Sequence, residues 1–388
     1  MNTPTWNHER YDAVVVGARP AGAATAMLLA RGGARVLMVD RSPLGSDTLS
    51  THALMRGAVM QLASWGLEGD LLACGTPGIE RTSFHYGQNR VDIDIRPAFG
   101  TDCLYAPRRT VLDRVIADAA EVSGVERRYG LDCMGVIRKH AHGPVSGVIL
   151  RDTRGAHYRV EADIVIGADG RQSRIAREVD ARYLVRMHQA SMSIYGYFTG
   201  MPNDGFRWYW GEQAAAGAIP TNNGASCVFL SLPRDRLGDF RKALHPSRFL
   251  QLMQQAFPEL GTQLSQAVRK GRLVGFPGQP GYMRECAGPG WALVGDAGWF
   301  KDPLTAHGIT DALRDAQILA DAVLAGTPCS YATTRDGLSH GMLEISDRIG
   351  SFDWDLEGIA VLHEQLNREM KANQNWIADN LMRCAVPA

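Results

Sequence analysis

The chain has 388 residues, of which 45% are hydrophobic and 21% charged, an ordinary balance for a globular protein with room for two domains; disordered and fibrous classes are excluded. Lysine plus arginine (41) equals aspartate plus glutamate (41), so no overall field favours nucleic acid or an anionic membrane surface, and the expected partner is a small molecule. No apolar run reaches the roughly 18 residues of a membrane span, and the opening MNTPTWNHERYD lacks the layout of a secretory signal; a cytoplasmic location is expected. The seven cysteines are widely spaced, odd in number and without a C-x-x-C pair, which points to reduced structural thiols and no metal site.

In chain order, Tyr11 to Val16 is an apolar run ending at Gly17, Ala21 to Arg31 reads as a helix, and Arg35 to Asp40 is a second buried strand. Strand, glycine turn, helix and strand in this spacing predict a βαβ unit and hence an α/β fold. From Ile79 to Ile95 the pattern turns to short alternating stretches, and VDIDI predicts a sheet exposed on one face. A helix is predicted over Arg109 to Val122. Strands near Asp132 to Lys139, Val145 to Asp152 and His157 to Glu161 then form an antiparallel excursion, and a separate strand at Asp163 to Ile166 rejoins the apolar sheet.

Antiparallel strands are predicted again at Ser191 to Gly200, Gly205 to Gly211, Gly217 to Pro220 and Ser226 to Leu232. Helices follow at Pro246 to Phe257 and Gly261 to Arg269, then a short strand at Trp291 to Val294, a helix at Ile309 to Leu324, and helical structure from Arg335 to Cys384. The two styles alternate, so the second domain is expected to be inserted into the first. The predicted division is a discontinuous nucleotide-binding domain at 1–75, 103–183 and 285–330, a substrate-binding domain at 76–102 and 184–284, and a C-terminal helical segment at 331–388.

The turn Gly17-Ala18-Arg19-Pro20-Ala21-Gly22 stands where G-x-G-x-x-G joins a strand to a helix whose N-terminal amides hold a pyrophosphate. Arg19 replaces the middle glycine; its side chain either weakens the approach or supplies a guanidinium to the phosphates. Asp40 ends the second strand 23 residues after Gly17, where a carboxylate accepts ribose hydroxyls, and Arg41 beside it belongs to the same candidate set. An acidic group there repels a 2′-phosphate, which favours FAD or NAD over NADP.

Two further segments, IVIGADGRQSR (Ile164 to Arg174) and WALVGDAGWFKDPLTAHGITDA (Trp291 to Ala312), resemble signatures of the flavoprotein monooxygenase superfamily. That group includes para-hydroxybenzoate hydroxylase, geranylgeranyl reductase and the flavin-dependent halogenases. The likeness runs through Gly167, Asp169, Gly170 and Ser173 in the first segment and Gly295, Asp296, Pro303 and Gly308 in the second. It implies an FAD-binding Rossmann-like domain of the glutathione reductase type, with an inserted antiparallel-sheet substrate domain. It further implies that Asp296 accepts a ribityl hydroxyl and that the helix opening at Gly308 and Ile309 aims its amides at the flavin ring, where negative charge gathers on reduction. Arg109, in APRRTVLDRV, matches a family arginine that reaches the FAD phosphates; Arg108 is the alternative, and a surface ion pair the plainer reading.

His52, in SDTLSTHAL, and His307, in PLTAHG, are the candidate catalytic groups, as imidazoles near the expected flavin ring. Tyr195, Tyr197, Trp208 and Trp210 recur at period two on two strands, and Tyr195, Trp208 and Trp210 are taken as candidate substrate contacts. The resemblance implies hydroxylation of a small aromatic or heteroaromatic substrate by O2 through a flavin C4a-hydroperoxide. Electrons come from NAD(P)H visiting transiently or from a separate reductase. A saturase of the geranylgeranyl reductase type is the alternative, because GDAGWFKDPLTAHGI is close to that branch. Halogenase marks are missing: W-Y-W is followed by GEQ, and no lysine precedes Lys139. A non-catalytic flavin-binding role is the reading from a different class, and the C-terminal helices offer core packing, a cover over the cavity or a homodimer surface.

Overall fold

The computed structural model describes residues 10–385; residues 1–9, which make up most of the stretch read for a signal, lie outside it, as does the side chain of Cys384. The chain runs β1 (Arg10–Val16), α1 (Pro20–Arg31), β2 (Val36–Asp40), α2 (Arg56–Ser64), α3 (Glu68–Ala73), β3 (Arg81–Tyr86), β4 (Asn89–Asp94), α4 (Arg109–Val122), β5 (Glu126–Tyr129), β6 (Leu131–Arg138), β7 (Val145–Asp152), β8 (His157–Gly167) and α5 (Arg174–Glu178). It continues through β9 (Tyr183–Arg186), β10 (Ser191–Thr199), β11 (Phe206–Gly211), β12 (Ala214–Pro220), β13 (Ala225–Pro233), α6 (Leu237–Ala243), α7 (Pro246–Ala256), α8 (Pro258–Gln266), β14 (Val268–Phe276), β15 (Tyr282–Arg284), β16 (Ala287–Gly288), β17 (Trp291–Leu293) and β18 (Trp299–Phe300). Helices α9 (Gly308–Leu324), α10 (Ser330–Gly350) and α11 (Leu356–Ala385) close it.

The first sheet has the order β16-β17-β8-β1-β2-β5, with β6 and β7 leading off β8. Its centre is parallel: Val14 lies opposite Leu37 on one side and Val165 on the other. Those strands are Val, Ile, Leu and Met because both faces are covered, and α1, α4 and α9 bury alanine- and leucine-rich sides against them. Helix α1 starts where Pro20 sets the first turn without losing an internal hydrogen bond, and stops at Gly32.

The second sheet, β14-β10-β13-β12-β11-β3-β4, is antiparallel except where β11 meets β3. Period two divides its side chains. Tyr195, Tyr197, Trp208, Trp210, Cys227 and Phe229 join the core shared with the first sheet, whereas Ile194, Phe198, Tyr209 and Leu230 join a separate core beneath α6, α7 and α8. A small third sheet, β18-β15-β9, takes β9 and β15 from the connections between the two sheets and β18 from the segment after β17. Among the described residues no helix is long and apolar enough to cross a membrane.

Four local expectations are corrected. VDIDI was expected to bury one face, yet every residue of β4 is exposed, because β4 is an edge strand with nothing packed over it. His157 to Glu161 and Asp163 to Ile166 are one strand: β8 pairs antiparallel with β7 in its first half and parallel with β1 in its second, so a polar first half did not mean a separate element. The helix expected to Arg269 ends at Gln266, and Arg269 lies in β14, which closes the second sheet beside β10. Helical structure expected from Arg335 begins at Ser330 and is broken at 351–355, where Phe352 takes φ +58° and Asp355 accepts the Gly358 N–H.

Candidate active site

Gly17 has φ +111°, and a Cβ there would lie 2.3 Å from the Ala168 carbonyl oxygen; a Cβ on Gly22 would lie 1.8 Å from the Gly17 oxygen. Only glycines let β1, the head of α1 and the turn after β8 come this close. Asp40 anchors the turn from below, with Oδ2 accepting from Ala18 N and Oδ1 from Ser42 N, each at 2.8 Å. Arg41 is exposed and makes no hydrogen bond or ion pair among the described residues. No side chain caps α1, so its first-turn amides are free to receive an anion.

Arg19 folds over the mouth of this turn. Its Nη1 donates to the Ser46 carbonyl and to Asp113 Oδ2, both at 2.9 Å. Asp113 is buried and also holds Arg109, which donates from Nε at 2.7 Å and from Nη2 at 3.1 Å. One carboxylate thus fixes two guanidinium groups beside the helix head.

The GD segment reaches the same place from the other side. Gly295 has φ +61°, and a Cβ on it would lie 2.8 Å from the Ala21 Cβ. Asp296 follows β17, and its carboxylate has no hydrogen-bond partner among the described residues. Burial pushes its pKa up, against the pull of Arg171, Lys301 and Arg109. Asp169 uses Oδ2 to accept from Arg174 N (2.6 Å) and Ile175 N (3.2 Å) at the start of α5, leaving its buried Oδ1 unpartnered.

Beyond Asp296, Pro303 opens a helical turn capped by Asp302, whose carboxylate also accepts from Ser191 N at 2.6 Å and Ser191 Oγ at 2.8 Å, tying the turn to β10. Ala306 takes φ +54°, His307 occupies the N-cap of α9, and Gly308 has open space around the position of a Cβ. His307 meets the Thr305 carbonyl through Nδ1, and its buried Nε2 has no partner. Burial, with help from Lys301, pushes its pKa down to about 3, so the imidazole is neutral. Lys301 itself is buried and ion-paired with Asp311 in the first turn of α9.

These groups fit FAD. Two uncapped helix heads, paired guanidinium groups and an unpartnered, half-buried carboxylate are the acceptor and donor set that a pyrophosphate, a ribityl chain and a ring gaining negative charge require.

His52 lies near Arg109, whose charge acts on it as on Asp296. Burial, then Arg109, then Arg108, hold its pKa well below the usual range. Its backbone is at φ +69°, its Nε2 meets the Tyr197 hydroxyl, and its Nδ1 is buried without a partner. Tyr195 donates to the Thr48 carbonyl at 3.4 Å, and the Arg108 guanidinium lies 3.6 Å from the Tyr197 ring centroid.

The four expected aromatics face one shared core, but as two separate pairs. β10 and β11 are separated by β13 and β12, about 14 Å across three strand spacings. Trp208 donates to Thr82 Oγ1 at 3.0 Å, and Trp210 packs on Trp354 and His363. Sequence reasoning also missed Asp113, Asp47, Lys301 and Asp302. Only Asp113 carried a signal, as the aspartate of the L-D pair after Arg109.

The FAD binding domain family matches residues 10–327. The digeranylgeranylglycerophospholipid reductase of Methanosarcina mazei is 25% identical over 334 residues, covering 81% of this chain and 75% of that one. Among solved structures, the flavin-dependent brominase Bmp2 superposes with a TM-score of 0.79 at 20% identity, covering 95% of this chain and 93% of that one. PqsL of Pseudomonas aeruginosa, a "probable FAD-dependent monooxygenase", gives 0.78 at 19% identity, covering 92% and 100%. The chain belongs to the FAD-binding-domain family within the flavoprotein monooxygenase superfamily and is an FAD-dependent oxidoreductase.

Proposed function

We propose that this flavoprotein is a monooxygenase that places one atom of dioxygen on a small aromatic or heteroaromatic molecule. The observation that carries the reading is the wall formed by His52, Tyr195, Tyr197 and Arg108, which is aromatic and polar together. Such a wall suits a flat molecule with hydrogen-bonding groups. A polyisoprenoid needs a long apolar channel, and burying it against a guanidinium and an imidazole strands their polar atoms.

Bound FAD supplies the electrons that activate oxygen, received from NAD(P)H or a separate reductase. The chain's own residues exclude water, hold the substrate ring against Tyr195 and Tyr197, and keep a neutral imidazole at the Tyr197 hydroxyl. PqsL has been solved in complex with 2-aminobenzoylacetate, a ligand of this size and kind, which supports the reading.

Reduction of an isolated double bond is the second reading, favoured by the curated reductase at 25% identity. Turnover under heavy-isotope oxygen separates the two. Label in the product supports monooxygenation; an unlabelled product that has gained two hydrogens moves the chain to the reductase branch. A flavin that reacts with neither oxygen nor substrate leaves a binding protein.

A further inference from the structure

Adjacent arginines at the head of α4 are neutralised in different ways. Arg109 is paired with Asp113, and both side chains are almost inaccessible (10% and 4% exposed). Arg108 donates from Nη2 to Asp47 Oδ2 at 2.7 Å, and the Asp47 side chain is 45% exposed on the loop between β2 and α2. The first pair is part of the core; the second is an exposed ion pair of little intrinsic worth.

Arg108 is nevertheless built in place. Its backbone N–H donates to Asn222 Oδ1 at 2.8 Å, and Asn222 is held by the Cys74 carbonyl and Thr76 Oγ1. Its guanidinium is stacked on Tyr197. Asp47 uses one donor of the fork, while the buried Nε has no acceptor; nearby, His52 Nδ1 is likewise buried and unpartnered. A planar carboxylate docking edge-on takes Nε and Nη2 together, the stronger bidentate arrangement.

We propose that Arg108 recognises the carboxylate of an aromatic acid, and that Asp47 is a resident substitute which the ligand displaces. This deepens the monooxygenase reading by naming its substrate class, and rests on it for turnover. The charge balance is preserved, since one carboxylate replaces another on Arg108 while Arg109 keeps Asp113. His52, whose Nε2 meets the hydroxyl of the same Tyr197, keeps its Nδ1 without a partner.

The test uses oxidised, FAD-loaded protein without reductant, so that binding is read apart from turnover. Benzoate and 2-aminobenzoate, and their uncharged amides, are titrated against the flavin absorbance spectrum and the melting temperature. The acids are expected to bind at least ten-fold more tightly than the amides. Asp47→Asn should tighten the acids several-fold by removing the competitor, and Arg108→Met should erase the preference for acid over amide with FAD content unchanged. Arg108→Lys, which keeps the charge without the fork, should fall between. Equal binding of acids and amides, no binding of either acid, or weaker acid binding in Asp47→Asn overturns the proposal. Should Arg108→Met fail to fold, the Asp47→Asn result decides. Arg108-dependent acid binding without oxygen label in any product leaves this site standing and removes the monooxygenase reading instead.

Discussion

Around the glycine turn the decisive contacts are between backbones, whereas across the second sheet they are between side chains. Gly17, Gly22 and Gly295 let three chain segments approach to distances that any Cβ would block, and the polar groups left without partners there are helix amides and one carboxylate. On the face of β10 the backbone is plain ladder, and the surface that we propose for the substrate consists of Tyr195, Tyr197, Arg108 and His52. A backbone site tolerates almost no variation in residue type. A side-chain wall changes its specificity one residue at a time, so one scaffold serves many substrates.

The largest effect should come from breaking the backbone side. Gly17→Val places a Cβ 2.3 Å from a carbonyl oxygen at a φ of +111°, and neither neighbour is a flexible side-chain end. A loss of more than about 3 kcal/mol, over a hundredfold in Kd for FAD, is expected. Trp210→Phe, on the aromatic face, should retain FAD. Titration of apoprotein with FAD checks both, and equal losses in the two variants would erase the contrast.

Asp296 comes next. Replacing it with alanine removes an acceptor with no other partner, so FAD affinity should fall by about 1–3 kcal/mol, roughly 5- to 150-fold. The apoprotein should melt no lower than the unsubstituted chain, because without the ligand the cost of desolvating that carboxylate outweighs the pull of Arg171, Lys301 and Arg109. A lower apoprotein melting temperature with unchanged FAD affinity would make Asp296 a structural residue.

This division also explains what was legible in the sequence. Close backbone approach demands glycine at fixed offsets, so the turn at Gly17 and the close approach at Gly295 were readable without a structure. Tyr197, Arg108 and Asp47 come together from β10, the head of α4 and a loop. Nothing in the local pattern of any one of them reports the other two. The period-two aromatics were readable as a face, but strand order was not, and strand order separates Trp208 and Trp210 from His52. Edge strand β4 misled for the same reason, since alternation carries no information on whether a partner layer exists.

The two regions should also differ in acid. His52 is buried and His363 half-buried against the second sheet, and His307 is buried at the head of α9. All three have depressed pKa values, to about 4 for His363 and about 3 for His307. The unfolded chain binds a proton at each near pH 6.5 and the folded chain does not, so stability is lost as pH falls from there toward the folded values. At pH 5 the His363 and His307 imidazoles each cost about 2 kcal/mol. His363→Gln, beside Tyr86 and Trp210, should flatten that part of the acid decline by one histidine's share. Unfolding by urea at pH 7 and pH 5 measures it, and an unchanged slope would mean that protonation of His363 is accommodated.

The smallest effect is expected at Arg19, the departure from the glycine fingerprint, and it tests where the two regions meet. Its guanidinium is engaged with Asp113 and the Ser46 carbonyl, with the side chain 29% exposed. It therefore links the nucleotide turn to the loop that carries Asp47 and His52. A partly exposed ion pair of this kind contributes about 0–1 kcal/mol. Arg19→Ala should weaken FAD by less than about five-fold, with the salt dependence of Kd unchanged, because Asp113 already neutralises the guanidinium. Loss of the tie to Ser46 should appear instead as faster proteolysis within 41–54. Arg19→Gly, which restores the fingerprint, should bind FAD as well as Arg19→Ala or better. If both variants lose affinity strongly and the salt dependence flattens, the guanidinium leaves Asp113 for the pyrophosphate, and a side chain has taken over a task that the rest of the turn assigns to backbone.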